Sequence, residues 1–119
     1  MKINFNGKLF RSAANAPNGE VNESTIFRYH QQDKIVWADY SGGKIRLGQM
    51  IGIVLPDERL EFRYQHVNEA SELMTGICVS TPEILTDGRI QLHEEWQWTC
   101  HDFSTGKSLV EEILTLDFG

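Results

Sequence analysis

The residues with the most chemistry to offer lie near the end of the chain, in Ile90-Gln91-Leu92-His93-Glu94-Glu95-Trp96-Gln97-Trp98. At a spacing of two, Glu94 shares a face with Trp96 and Trp98, because successive side chains of a strand point to opposite sides. A carboxyl held among aromatic rings must be hydrogen-bonded, paired or neutral. It is a natural anchor in a small-molecule pocket, and in an enzyme it would be an acid or base. The same alternation adds Tyr29, Gln49, Tyr64 and His66 to this candidate lining. Each of these residues also has an ordinary structural reading. Trp96 and Trp98 serve any small core, His66 satisfies one, and Glu94 at a barrel mouth would simply face water.

Other chemistry finds little support. There is no G-x-S-x-G, P-loop or G-x-G-x-x-G, so hydrolase, nucleotide and dinucleotide signatures are missing and no cofactor is expected. His93-Glu94-Glu95 lacks the second histidine of a zinc-protease motif, and Cys78, His93, Cys100 and His101 have no recognised metal spacing. Glu94 and Glu95 fall on opposite faces and cannot flank one glycosidic bond. Cys78, between Ile77 and Val79, reads as a buried thiol.

The elements that must position these residues follow a period of two. Phe27 and Tyr29, then Leu60, Phe62, Tyr64 and His66, then Ile90, Leu92, Glu94, Trp96 and Trp98 each mark one face of a strand. In Lys44 to Leu55 the aliphatic series Ile45, Leu47, Gln49, Ile51, Ile53 and Leu55 is taken as the inner face, with Gly48 and Gly52 on the other. Arg28, Arg46 and Arg63 then form a solvated outer face, whereas a phase error of one residue would turn them inward, where they would bind a carboxylate. Turn residues recur at Gln32-Asp33-Lys34, Ser41-Gly42-Gly43, Pro56-Asp57-Glu58, Thr86-Asp87-Gly88 and Ser104-Thr105-Gly106. Links this short join antiparallel neighbours. Leu109 to Leu116 reads as a closing strand rather than a helix, and Asn68 to Met74 has room for one helical turn.

The 119 residues form a single domain, 1–119, of the all-β class. The expected architecture is an antiparallel up-and-down meander of about eight to ten strands closing into a lipocalin-like (calycin) barrel. Closure removes the two sheet edges; a two-sheet β-sandwich is the alternative. Interior glycines such as Gly48 and Gly52 suit the bends of a small barrel.

The net charge of −6 disfavours nucleic acid and anionic membrane surfaces as partners. The longest apolar run, Met50 to Leu55, is too short to span a bilayer, and Met1 to Asn6 lacks the apolar core of a secretion signal. Two cysteines fit a reducing cytoplasm. Monomer and homodimer are both open.

Tyr40-Ser41-Gly42-Gly43-Lys44-Ile45, Val67-Asn68, Glu72 to Glu83 and Gly88 to Trp98 resemble a group of small bacterial proteins often labelled N-acetylglutamate synthase. The resemblance runs from about Phe27 toward Glu112 and brings no catalytic residues with it. The label implies acetyl-CoA-dependent acyl transfer. Its usual pyrophosphate cradle is a Q/R-x-x-G-x-G/A loop opening a helix. Gln49-Met50-Ile51-Gly52-Ile53-Val54 ends in Val54 where a small residue belongs, and it lies in a strand. The expectation is therefore a barrel that binds a small apolar or amphipathic molecule. The alternatives are an enzyme using the same cavity and a filled barrel acting as an interaction module.

Overall fold

The computed structural model describes residues 3–114. Eight strands follow one another around a closed barrel: β1 (Leu9–Ala14), β2 (Ile26–Gln32), β3 (Ile35–Gly42), β4 (Ile45–Val54), β5 (Leu60–Asn68), β6 (Leu73–Ile84), β7 (Ile90–Trp98) and β8 (Thr105–Ile113). Each pairs antiparallel with its neighbours in sequence, and β8 closes on β1 from Leu9↔Ile113 to Ala14↔Leu109. Closure satisfies backbone groups that an open sheet would leave at its edges. The barrel, rather than the sandwich, is the architecture, and the strand count sits at the low end of the expected range. The closing strand spans Thr105–Ile113; Leu116 lies outside the described residues.

Strand direction assigns the connections to two ends. The upper end carries the long link 15–25 and the turns after β3, β5 and β7, while the lower end carries the turns after β2, β4 and β6. The two Asp-x-Arg turns of the lower end are built alike. Asp57 Oδ1 accepts from the Arg59 backbone N–H at 3.2 Å, and Asp87 Oδ1 accepts from that of Arg89 at 3.0 Å. The last upper turn comes earlier than expected, around Cys100–Asp102, and Thr105 already belongs to β8. Asn68–Glu72 forms a hydrogen-bonded turn rather than helix, with Asn68 Oδ1 accepting from the backbone N–H groups of Ala70 and Glu72.

One strand runs out of phase with the expectation. The pairing of β4 with β5 shifts between Ile45 and Leu47, which oppose Asn68 and Val67. Side chains alternate strictly along a strand, so a one-residue bulge sends every later residue to the other face. Ile45 is therefore inside, but Leu47, Gln49, Ile51 and Ile53 face out, and Gly48, Met50, Gly52 and Val54 face the lumen. Leu47 and Ile51 are each 61% exposed. Gln49 is thus no part of the lining; it borders a shallow hollow on the outer wall with Trp37 and Ile51. Arg28, Arg46 and Arg63 face solvent, as expected.

The lumen is filled unevenly. Phe5, from the segment before β1, tucks under the barrel at 2% exposure. Its ring lies 6.4 Å from Phe10 and 6.0 Å from Tyr29, and Tyr29 in turn lies 4.8 Å from Phe10 and 6.0 Å from Phe62. With Val36, Leu60, Ile90, Leu92 and Val110, these rings pack the lower half solid. Offset and edge-on aromatic contacts at such separations add roughly 0.5–1.5 kcal/mol each beyond their buried area. At the rim, Lys8 Nζ donates to Glu112 Oε2 at 3.1 Å, and Glu112 Oε1 accepts from the Ile90 backbone N–H, so this buried carboxylate is satisfied.

Candidate functional site

Above that plug the lumen opens into a cavity of about 60 Å³, roughly four times the space one ordered water requires. Its walls come from Phe27 of β2, Tyr40 of β3, Met50 of β4, Tyr64 and His66 of β5, Cys78 of β6, Glu94, Trp96 and Trp98 of β7, and Ser108 of β8. The 15–25 connection lies over it, contributing Asn15, Ala16, Gly19, Glu20 and Val21. Tyr64, His66, Glu94, Trp96 and Trp98, five of the seven residues singled out by alternation, meet here. Tyr29 lies outside the lining, buried at 1% exposure, and its hydroxyl has no hydrogen-bond partner among the described residues.

The rings stay out of the cavity's centre because glycine stands opposite each of them. Tyr40 pairs with Gly48, Tyr64 with Gly76 and Trp96 with Gly106 on the neighbouring strands. A methyl group at these glycines would lie 2.4 Å from the Tyr40 ring, 2.2 Å from Tyr64 and 2.3 Å from Trp96 Cζ2. Each ring therefore lies flat across a bare stretch of backbone, where any other residue would push it inward. In the plug Phe62 covers Gly52 in the same way.

Glu94 is positioned by register. Ser80 of β6 and Ser108 of β8 are its direct cross-strand partners. Ser80 Oγ donates to Glu94 Oε2 at 3.1 Å and Ser108 Oγ to Oε1 at 3.2 Å. Glu94 lines the cavity among aromatic rings and Cys78. Burial there raises its pKa to about 7, with the two serine hydrogen bonds opposing the rise. The same burial, with the Glu94 charge close by, pushes the Tyr29 and Tyr40 hydroxyls and the Cys78 thiol well above their ordinary values. Burial raises Tyr64 well above its ordinary value too. At neutral pH these three tyrosines and the cysteine are protonated.

A second polar chain fastens the overlying connection to the barrel. Tyr40 Oη lies 2.9 Å from His66 Nδ1, and His66 Nε2 lies 2.7 Å from Glu20 Oε1. Glu20 Oε2 also accepts from Asn68 Nδ2 at 2.9 Å. One assignment satisfies all of these contacts: neutral His66 accepts the Tyr40 proton at Nδ1 and donates from Nε2 to Glu20. Burial lowers the His66 pKa below its ordinary value despite Glu20, which agrees with a neutral ring. Two more ties hold the connection on the β7–β8 side. Trp98 Nε1 donates to the Asn18 carbonyl at 3.0 Å, and Asn18 Nδ2 donates to Ser104 Oγ and to the Thr105 carbonyl.

Alternation alone missed Tyr40, Met50, Cys78, Ser108 and the overlying connection. Met50 was hidden by the β4 bulge. Ser108 becomes visible once β8 is registered against Glu94. Residues 15–21 carry no periodicity to read.

The chain matches the Avidin-like protein family over residues 3–113. A comparison with curated protein sequences gave no significant match. The family match gives no support to the N-acetylglutamate synthase label. The segment suspected as an acyl-CoA cradle is strand β4, ladder-paired with β3 and β5 on both sides, and not a loop that opens a helix. With almost the whole described chain covered by the match, this protein belongs to the avidin-like family, a calycin-type barrel fold.

Proposed function

We propose that this avidin-like barrel binds one small organic molecule in the cavity beneath the 15–25 connection. The supporting observation is the contrast between its two halves. The lower half is packed solid by Phe5, Phe10, Tyr29 and Phe62, whereas the upper half is kept open by glycines that seat Tyr40, Tyr64 and Trp96 against the wall. A barrel that needed only stability would fill that space, since each unfilled methylene-sized void costs about 1 kcal/mol. The open half is aromatic, with a few convergent polar groups, the usual composition of a small-molecule site. Membership of a family of ligand-binding barrels agrees with this reading.

About 60 Å³ holds only a few non-hydrogen atoms. A larger ligand requires the 15–25 connection to swing away, breaking its ties through Glu20 and Asn18. The reading makes this a binding protein.

Native mass spectrometry compared with the denatured mass tests the proposal, together with tryptophan emission during titration with n-butanol and n-butylamine. A stoichiometric mass excess lost on denaturation, or a saturable emission change, supports a binding cavity. A bare chain mass with no emission response to either probe contradicts it.

A further inference from the structure

Charge and ring arrangement in the cavity narrow the ligand to one chemical class, an inference that rests on the small-ligand reading above. We propose that the ligand is a small organic cation, a protonated nitrogen on a short apolar body, held between the Glu94 carboxylate and the faces of Tyr64, Trp96 and Trp98.

Four observations point this way. Among the described residues, two carboxyl groups, Glu94 and Glu20, border the cavity and no lysine or arginine does. Glu94 accepts one hydrogen bond at each oxygen, from Ser80 and Ser108, although a carboxylate has about four acceptor sites. Two sites are thus left over, and among the described residues no lysine or arginine lines the cavity to use them. Around them stand aromatic rings. Tyr64 and Trp98 centroids are 5.9 Å apart at 65°, and those of Trp96 and Trp98 are 5.6 Å apart at 63°. Tyr64, Trp96 and Trp98 all line the one hollow, and aromatic rings around a hollow are what attracts organic cations. Behind the lining, the Tyr29 hydroxyl is buried, feels the Glu94 charge and has no hydrogen-bond partner among the described residues.

An anionic ligand would meet two carboxyl groups and no countercharge. A neutral ligand would leave Glu94 buried without compensation whenever it ionises.

The groups facing Glu94 determine how binding should respond to pH. These are Tyr29 from β2, Tyr40 from β3, Tyr64 and His66 from β5, Cys78 and Ser80 from β6, Ser108 from β8 and Glu20 from the connection above. The tyrosines and Cys78 titrate far above neutrality and His66 below its ordinary value. Glu94 itself changes charge at about 7. A cation needs it ionised, so affinity rises with pH through that point and falls about tenfold per pH unit below it. A neutral ligand that accepts a hydrogen bond from protonated Glu94 shows the opposite slope.

The test is tryptophan emission or calorimetry on the intact protein with n-butylamine, n-butanol and n-butyrate, near-equal in size and different in charge, between pH 5.5 and 8.5. The expected result at pH 8 is butylammonium binding about tenfold or more tighter than butanol, as for a hydrogen bond to a charged partner. Butyrate binds weakest, and the amine preference vanishes as pH falls below 6. Glu94→Gln, checked for folding by its thermal transition, abolishes the preference while butanol still binds. Equal or tighter binding of butanol or butyrate by the unaltered protein at pH 8, or an amine affinity flat across this range, overturns the cation assignment and leaves the binding cavity standing. Silence of all three probes overturns both.

Discussion

Gly106→Ala is the smallest change that should close the site without touching the ligand. Gly106 lies directly across from Trp96, and an added methyl carbon would sit 2.3 Å from Trp96 Cζ2 and 2.6 Å from Cη2. Ordinary carbon contacts begin near 3.5 Å, so the indole must retreat by roughly 1 Å. On its other side the ring meets Gly19, where a methyl would already stand 3.1 Å from Cζ2, so the loop gives it little room there. The way left is into the 60 Å³ cavity.

Overpacking of this kind costs about 1–3 kcal/mol. Gly→Ala regains about 0.4–1 kcal/mol through the unfolded chain. The net expectation is a loss of about 1–2 kcal/mol in denaturant unfolding. Ligand affinity falls as well, by at least about tenfold or about 1.4 kcal/mol, because the ring occupies ligand space. Gly88→Ala is the control. It sits at positive φ of 89° with nothing within 4 Å, so it strains a remote turn and leaves binding unchanged. Affinity and tryptophan emission of Gly106→Ala that match the unaltered protein would refute the claim that glycine holds the ring off the cavity.

Two further outcomes follow from the titrating groups. Glu94 ionises at about 7 when folded and near 4.5 when unfolded, so its contribution is fully present below pH 4.5 and is lost as pH rises through 7. Glu94→Gln keeps both serine partners, since serine hydroxyls donate and accept, and removes that loss. Urea unfolding should therefore find the variant more stable than the unaltered protein at pH 8, by no more than about 3 kcal/mol, and equal to it at pH 4; a destabilised variant at pH 8 would contradict the burial argument. Glu20→Ala strips the partner from buried His66 Nε2, at a cost of about 1–3 kcal/mol, and frees the overlying connection. The His66 pKa is depressed in the fold, so stability falls as pH drops below about 6.5, and further without Glu20. Stopped-flow emission should show faster ligand entry in this variant, and an unchanged entry rate would mean that the connection is not the gate.

Alternation made most of the barrel legible. Leu60 to His66 and Ile90 to Trp98 show their inner faces in sequence because each has a charged or polar residue at the intervening positions. In β4 the pattern misleads for a physical reason. Its inner positions hold Gly48 and Gly52, which leave room for the rings of Tyr40 and Phe62, while its outer positions hold Leu47, Ile51 and Ile53. Hydrophobicity then marks the wrong face, and Gln49 goes with it. The pairing of two interior glycines with Met50 was the available clue. The contacts of Glu20 with His66 and Asn68 span 46 and 48 residues and depend on an aperiodic connection, so no local pattern encodes them.

The location of a bound molecule tests the account most directly. The chain has three tryptophans: Trp96 and Trp98 line the cavity, while Trp37 lies on the outer wall at 38% exposure. A proton–nitrogen correlation spectrum of the three indole N–H groups, recorded during titration with n-butylamine and with n-butanol, reads all three at once. The account predicts saturable shifts at Trp96 and Trp98 for at least one probe, with Trp37 unmoved. A shift confined to Trp37, or three signals that stay fixed for both probes, would contradict it.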